Sequence, residues 1–264
     1  MSTMSPRLAC LASASVMSTA MPRTACCPKL PISRRPLVQT RGRSPLSRRI
    51  IPCGSIYPPE LLDEIFSLCK ARGIWLILDE TYRDFLPEAD ARPHGLLARD
   101  GWQDTLVQLY SFSKSYCMPG HRLGAVTAGS AFVDELAKII DNIQICAPRT
   151  PQIAVTPMLA SLNGWREENR QRIAARSTLF SDVMAGLDGW ELLSTGAYFG
   201  YVRHPFGGTA SIEVAKRMAR EAGVLTIPGT FFGDGQENFL RFAFANAGRD
   251  VIAGLPERLA VLTG

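Results

Sequence analysis

Residues 105–129 read TLVQLYSFSKSYCMPGHRLGAVTAG: an apolar run, a single lysine (Lys114) among three serines, an arginine eight residues on, and a second apolar run. The first run, 105–113, has the length and content of a buried strand. Lysine is among the residues least often buried. A cation at the mouth of such a strand is either solvated or used, and its surroundings decide between the two.

The pattern extends in both directions. Pro58 and Pro59 suit a helix start, Leu61, Leu62, Ile65, Phe66, Leu68 and Cys69 supply its apolar side, and Gly73 suits its stop. The run IWLILDE at 74–80 then reads as a short strand buried on both faces, and LGAVTAG at 123–129 as a third strand. Apolar strands separated by helices imply a mainly parallel sheet. Helices are expected at 131–145 and 151–163, followed by a long amphipathic one at 165–187 carrying Trp165, Ile173, Leu179, Phe180, Val183 and Met184. After Gly189 the texture changes. Short strands at 190–194, 197–204, 224–227 and 239–245 alternate with helices at 209–222 and 249–262, as in a second, smaller α+β unit. The expected organisation is thus a basic segment without fixed structure (1–50), the remainder of a large α/β domain with an incomplete sheet (51–165), and a linking helix with a small C-terminal α+β domain (166–264).

In parallel α/β sheets, ligands bind outside the carboxyl ends of the strands. Asp79 ends one strand and Tyr82 lies three residues beyond it; Ser111, Ser113 and Lys114 end another; Arg122 opens the third after the Pro119-Gly120 turn. Singly, each has an ordinary reading: a turn acid, a half-buried phenol, a helix cap, a solvated cation. Together they are what pyridoxal 5'-phosphate requires. An amine forms the Schiff base, a carboxylate keeps the pyridine nitrogen protonated so that the ring can act as an electron sink, a phenol supports the ring oxygen, and hydroxyls with a guanidinium take the phosphate.

These motifs resemble the class I/II aminotransferases of the aspartate aminotransferase fold type. The resemblance is carried by LDETYRDF (78–85), SFSKSYCMPGHRLG (111–124) and IPGTFFGDGQENFLRFAFA (227–245), and spans roughly 51–264. It implies that Lys114 is the Schiff-base lysine and proton shuttle, Asp79 the partner of the pyridine nitrogen and Tyr82 the ligand of the ring's phenolic oxygen. Ser111, Ser113 and Arg122 would hold the phosphate, and Arg241 the substrate carboxylate. The expected activity is transfer of an amino group between an amino acid and a 2-oxo acid in a cytoplasmic enzyme that is a homodimer when complete. A lyase or synthase of the same fold type would use the same residues. A truncated, non-catalytic remnant is the alternative from outside enzymology.

The opening of the chain departs from the pattern. Where the family carries N-P-T-G this chain reads IPCG at 51–54, so Ile51 stands at the position of a cofactor-bonding asparagine while Pro52 and Gly54 are kept. Residues 1–59 hold 9 Lys/Arg and no Asp or Glu, giving +9, whereas the remainder holds 20 basic and 24 acidic residues, giving −4. Such acid-free, Arg- and Ser-rich text reads as an organellar targeting segment, a disordered basic tail, or sequence outside its natural frame. On this reading the family's N-terminal part, including its phosphate-binding loop, is lacking.

The acidic remainder gives no reason to expect a nucleic-acid partner, and no apolar stretch reaches the ~18 residues of a membrane helix. The seven cysteines form neither a CxxC pair nor a Cys/His cluster of ligand spacing, so no metal is expected, and free thiols are the expected state.

Overall fold

The computed structural model describes residues 43–47 (backbone only), 56–86 and 93–262. Ile51, Pro52 and Gly54, and the expected unstructured opening apart from 43–47, lie outside the described residues. Strand β1 (Arg43–Ser47) is followed by helix α1 (Pro59–Ala71) and strand β2 (Trp75–Asp79). Pro59 occupies the first turn of α1, where its missing N–H costs nothing, with Glu60 beside it and Lys70 in the last turn, each at the end of the helix dipole that favours its charge. Gly73, at φ 61°, ends the helix: its N–H donates to Lys70 O (3.2 Å) and the Ile74 N–H to Cys69 O (3.0 Å). Leu62, Phe66 and Cys69, at helical spacing, are buried against Leu76, Leu78, Leu96 and Leu106. Each large side chain so covered contributes about 1.5–3 kcal/mol.

Strands β3 (Leu106–Ser111) and β4 (Gly124–Thr127) complete the first sheet, in the order β1-β2-β3-β4. β1, β2 and β3 run parallel and β4 is antiparallel to β3, so the sheet is mainly parallel with a reversed edge. The reversal follows from the connection. After β3 the chain makes the one-turn helix α2 (Phe112–Ser115) and a 3₁₀ turn (Pro119–His121), then re-enters the sheet at the end it left. Ser111 pairs with Gly124 as a result.

β2 differs from the expected strand buried on both faces. Leu76 and Leu78 are fully buried under α1, but Trp75 and Ile77 are only half-buried, because their face is covered in part, through Trp75 packing on Phe132 with ring centroids 5.0 Å apart. Phe132 belongs to helix α3 (Ser130–Ile143), which is followed by α4 (Arg149–Val155), shorter than the helix expected at 151–163 and continued by a 3₁₀ turn.

The long helix α5 (Asn163–Ala185) leads into an antiparallel sheet of β5 (Glu191–Gly196), β6 (Phe199–Arg203), β7 (Ile227–Pro228) and β8 (Phe239–Ala243), ordered β5-β6-β8-β7. Helix α6 (Ser211–Arg217) runs on into a π-helical turn, Met218–Ala222, and α7 (Arg249–Ala253) and α8 (Leu255–Ala260) split the single helix expected at 249–262. Only the last part of α5 behaves as the amphipathic pattern suggests. Phe180 and Met184 enter the core formed with Trp190, Val202, Met218, Leu240 and Phe242, while Trp165 stays exposed.

Phe180 stacks on Phe244 (5.1 Å) and tilts against Phe242 (5.5 Å), and it lies over Gly200, where an added Cβ would run into its ring. Phe180→Ala is therefore expected to cost about 3–5 kcal/mol in denaturant unfolding. Gly200→Val should cost about 1–3 kcal/mol by overpacking, and the exposed Trp165→Ala less than about 0.5 kcal/mol.

Candidate active site

The turn after β2 is fixed by its own side chains. Asp79 Oδ1 accepts the Thr81 N–H (2.9 Å) and the Thr81 hydroxyl (2.7 Å), and no donor to Oδ2 is found among the described residues. The chain then tightens into a 3₁₀ turn, Arg83–Phe85, with the Arg83 N–H on Glu80 O (3.0 Å) and the Phe85 N–H on Tyr82 O (3.1 Å). Tyr82 is thereby presented edge-on to Tyr198 (5.5 Å), in the β5–β6 turn, and to Phe199 (5.6 Å), the first residue of β6.

At the adjoining strand end, Ser111 caps α2, its Oγ accepting the Ser113 N–H at 3.3 Å. Lys114 sits in that single helical turn, half-buried, and its ammonium has no hydrogen-bond or ion-pair partner among the described residues. Arg122 lies at the start of β4 in the left-handed region (φ 53°), exposed, with Nη1 donating to Pro119 O at 2.7 Å. The Phe112 N–H to Leu123 O bond (3.1 Å) and the Ser111–Gly124 pairing hold the α2 turn beside Arg122.

The second sheet supplies Arg241, on β8. Its guanidinium lies over Phe199 (4.4 Å) and Phe232 (4.8 Å), its Nε is buried with no acceptor, and no carboxylate pairs with it among the described residues. Burial pulls its pKa below the ordinary arginine value, against the opposing pull of the Tyr82 and Tyr198 phenols. Burial, and then the neighbouring Tyr82, pushes Tyr198 well above the ordinary tyrosine value, so it stays a neutral phenol.

Two further networks surround this rim, and neither was visible in the sequence. Tyr110 donates its hydroxyl to Asp84 Oδ2 (2.5 Å), and Arg166 from α5 reaches Asp84 (3.7 Å) and the Tyr116 hydroxyl (3.0 Å). Glu80, with its side chain wholly buried, accepts from Gln108 Nε2 and faces Arg83 Nη1 (3.4 Å) and His94 Nε2 (3.2 Å). Strand alternation could have signalled Glu80, since it follows Leu76 and Leu78 on the covered face. Its partner His94 carries no local signal.

The structure therefore sets Asp79, Tyr82, Ser111, Ser113, Lys114 and Arg122 along three neighbouring strand ends and brings Tyr82 to the Arg241 cluster of the second sheet. Among the described residues no group of His, Cys, Asp and Glu could hold a metal, no helix is long and apolar enough to cross a membrane, and Cys69, Cys117 and Cys146 are free.

Comparison with known proteins agrees with this architecture. The sequence profile described as aminotransferase class I and II matches residues 51–259. The chain belongs to this family. It is 32% identical to an aromatic aminotransferase of Arabidopsis thaliana over 73% of this chain and 48% of that protein. It is 27% identical to an aspartate aminotransferase of Pyrococcus abyssi over 74% and 51%. Among solved structures, an aromatic aminotransferase from Pyrococcus horikoshii superposes with a TM-score of 0.73 at 26% identity, over 83% of this chain and 59% of that one. The chain spans about half the length of the curated relatives it matches.

Glu80 gives this site a pH signature. Burial alone would raise its pKa, but the hydrogen bond and charge of His94, the Gln108 amide and the Arg83 guanidinium more than offset it, and the net shift is downward. A carboxylate whose folded value lies below its unfolded value adds stability above the unfolded value and loses it as pH falls through the folded one. The unfolding free energy should therefore drop as pH falls below about 4.3, the ordinary glutamate value. Glu80→Gln should flatten that part of the profile, as measured by urea unfolding at successive pH values.

Proposed function

We propose that this chain builds the strand-end site of a pyridoxal 5'-phosphate-dependent aminotransferase, moving an amino group between an amino acid and a 2-oxo acid. The observation that carries the reading is Arg241. A half-buried guanidinium packed on two rings, with a buried, unpaired Nε and no carboxylate partner among the described residues, is a cation arranged for an incoming anion. It stands beside Tyr82, whose turn adjoins the strand end that bears Lys114.

The donor set fits the cofactor. Asp79, with one oxygen spent on Thr81 and the other without a donor among the described residues, would hold the ring nitrogen in its protonated form. Tyr82 would donate to the ring oxygen, and Ser111, Ser113 and Arg122 would bind the phosphate. Lys114, whose amine has no partner among the described residues, would form the covalent link to the aldehyde. When bound, the cofactor supplies an electron sink that lets the bond from substrate Cα to hydrogen break. The chain's own residues do the rest. The Arg241 fork takes the α-carboxylate in bidentate fashion and so fixes which Cα bond faces the ring. Lys114, its amine free once substrate is joined, would take the proton from Cα and deliver it to the cofactor's aldehyde carbon, on the far side of the substrate nitrogen. The aromatic side chains of Tyr198, Phe199 and Phe232 exclude water from the Arg241 side, which strengthens the charge pair made there.

A second reading, a non-catalytic module that associates with other polypeptide, is favoured by one observation. Ile143 and Ile145 are each 76% exposed, Ile153 is 61% exposed, and every residue of the edge strand β4 is open. The two readings separate in one experiment. Incubation with pyridoxal 5'-phosphate should give a visible absorbance band that amino acids bleach and 2-oxo acids restore; the association module gives neither change. In the bound form, Arg241→Leu should raise the KM for the amino acid by about 30-fold or more, the equivalent of losing roughly 2–5 kcal/mol, with cofactor retention unchanged. Loss of cofactor at constant KM would assign Arg241 a different role.

A further inference from the structure

Glu80 is the most deeply buried charged side chain of the described residues, and the proposed chemistry does not use it. It follows Leu76 and Leu78 on the face of the sheet covered by α1, whereas Asp79 points to the other face. Its Oε2 accepts from Gln108 Nε2 on β3 and faces Arg83 Nη1 at 3.4 Å, and its Oε1 faces His94 Nε2 at 3.2 Å. The His94 ring is oriented from its other side. Nδ1 accepts the Leu96 N–H at 3.2 Å, so the neutral ring carries its proton on Nε2, the nitrogen that lies 3.2 Å from Glu80 Oε1 at ion-pair distance but without hydrogen-bond alignment. The main chain of Glu80 is tied as well, its N–H to Leu109 O (2.8 Å) and its carbonyl to the Arg83 N–H (3.0 Å).

This carboxylate therefore joins the end of β2, the Arg83–Phe85 turn, the 94–96 segment and β3. On the opposite face Asp79 grips Thr81. The turn from 79 to 83 is held from both sides, and what it presents are Asp79 and Tyr82. Burying a carboxylate costs several kcal/mol unless donors surround it, and packing alone does not call for one here, since an apolar side chain would continue the Leu76–Leu78 row. A charged anchor does what a leucine would not. It draws donors from three separate segments onto one point and so fixes the angle at which the turn leaves the strand.

We propose that Glu80 is a positioning residue: its buried carboxylate, held by His94, Gln108 and Arg83, aims the turn that carries Asp79 and Tyr82. As far as it concerns the cofactor this rests on the reading above, but its first test does not need the cofactor. In the full chain without cofactor, Glu80→Gln should speed amide hydrogen exchange of Thr81 to Phe85 by about tenfold or more, leaving the amides of α1 at their wild-type rates. Binding of pyridoxal 5'-phosphate, followed by absorbance, should weaken by a similar factor. Exchange that is unchanged, or that quickens equally throughout α1 and β3, overturns the proposal, because Glu80 is then only a core residue. Local quickening with a dissociation constant inside about twofold of wild type also overturns it, because the turn is then held but not aimed. If the wild-type chain binds no pyridoxal 5'-phosphate, the cofactor reading fails and the exchange rates alone decide whether Glu80 holds the turn. Should Glu80→Gln fail to fold, His94→Gln, which keeps the carboxylate and replaces one donor, carries the same comparison with the same two outcomes.

Discussion

The packing of Tyr82 on the edges of Tyr198 and Phe199 is the contact on which the site depends. Asp79, Lys114 and Arg122 belong to the first sheet and Arg241 to the second, and the two sheets have separate cores. Without the ring contact, the cation that faces an incoming anion would stand in no fixed relation to the strand ends. Helix α5 reinforces the join. Arg166 reaches the Tyr116 hydroxyl and Asp84, which flank Lys114 and Tyr82 respectively, and Arg170 donates to Leu86 O at 3.2 Å. Each side of the proposed site is thus tied to the same helix, and that helix ends in the core of the second sheet through Phe180 and Met184.

The electrostatic arrangement follows from what surrounds each charge. Asp84, Tyr110, Tyr116 and Arg166 bond one another in a partly buried network, and Glu80 has Gln108, Arg83 and His94 about it, although Arg166 Nε, Glu80 Oε1 and His94 Nε2 make no hydrogen bond. Arg241 and Lys114 are different. They are half-buried cations with no anion among the described residues, and a half-buried cation without a partner is an unfavourable arrangement that an anionic ligand or a covalent link relieves. What sets Arg241 and Lys114 apart from these networks is the lack of a paired anion among the described residues, and both stand on the rim of the proposed site.

Much of this was legible in the sequence because its signals are local. The Pro58–Pro59 entry, the Leu62-Phe66-Cys69 spacing and Gly73 give α1, and the apolar runs ending in Asp79 and Ser111 give β2 and β3. Lys114 stands out only in company: a lone lysine after a strand is ordinarily solvated, and the spacing of Asp79, Tyr82, Ser111, Ser113 and Arg122 around it overturns that reading. What the sequence concealed depends on contacts across the chain. Glu80 stands next to Asp79 with nothing local but strand alternation to mark it, and its partner His94 is fourteen positions away in an irregular segment. Tyr198 offered no role until the second sheet set it against Tyr82 and Arg241. The half-burial of Trp75 and Ile77 was hidden for a related reason: an apolar run reports what a strand would accept, not what covers it. The reversed direction of β4 and the break between α7 and α8 reflect the geometry of their connections, which hydrophobic pattern does not encode.

The central claim is that the cation at the mouth of β3 is there to be a reactive amine. It is tested most directly by treating the full chain with pyridoxal 5'-phosphate, reducing with borohydride, digesting, and locating the modified lysine by mass spectrometry. The chain contains Lys29, Lys70, Lys114, Lys138 and Lys216. Modification confined to Lys114 at near-stoichiometric cofactor is the expected result. Modification spread over the five lysines, or absent from Lys114, contradicts the claim.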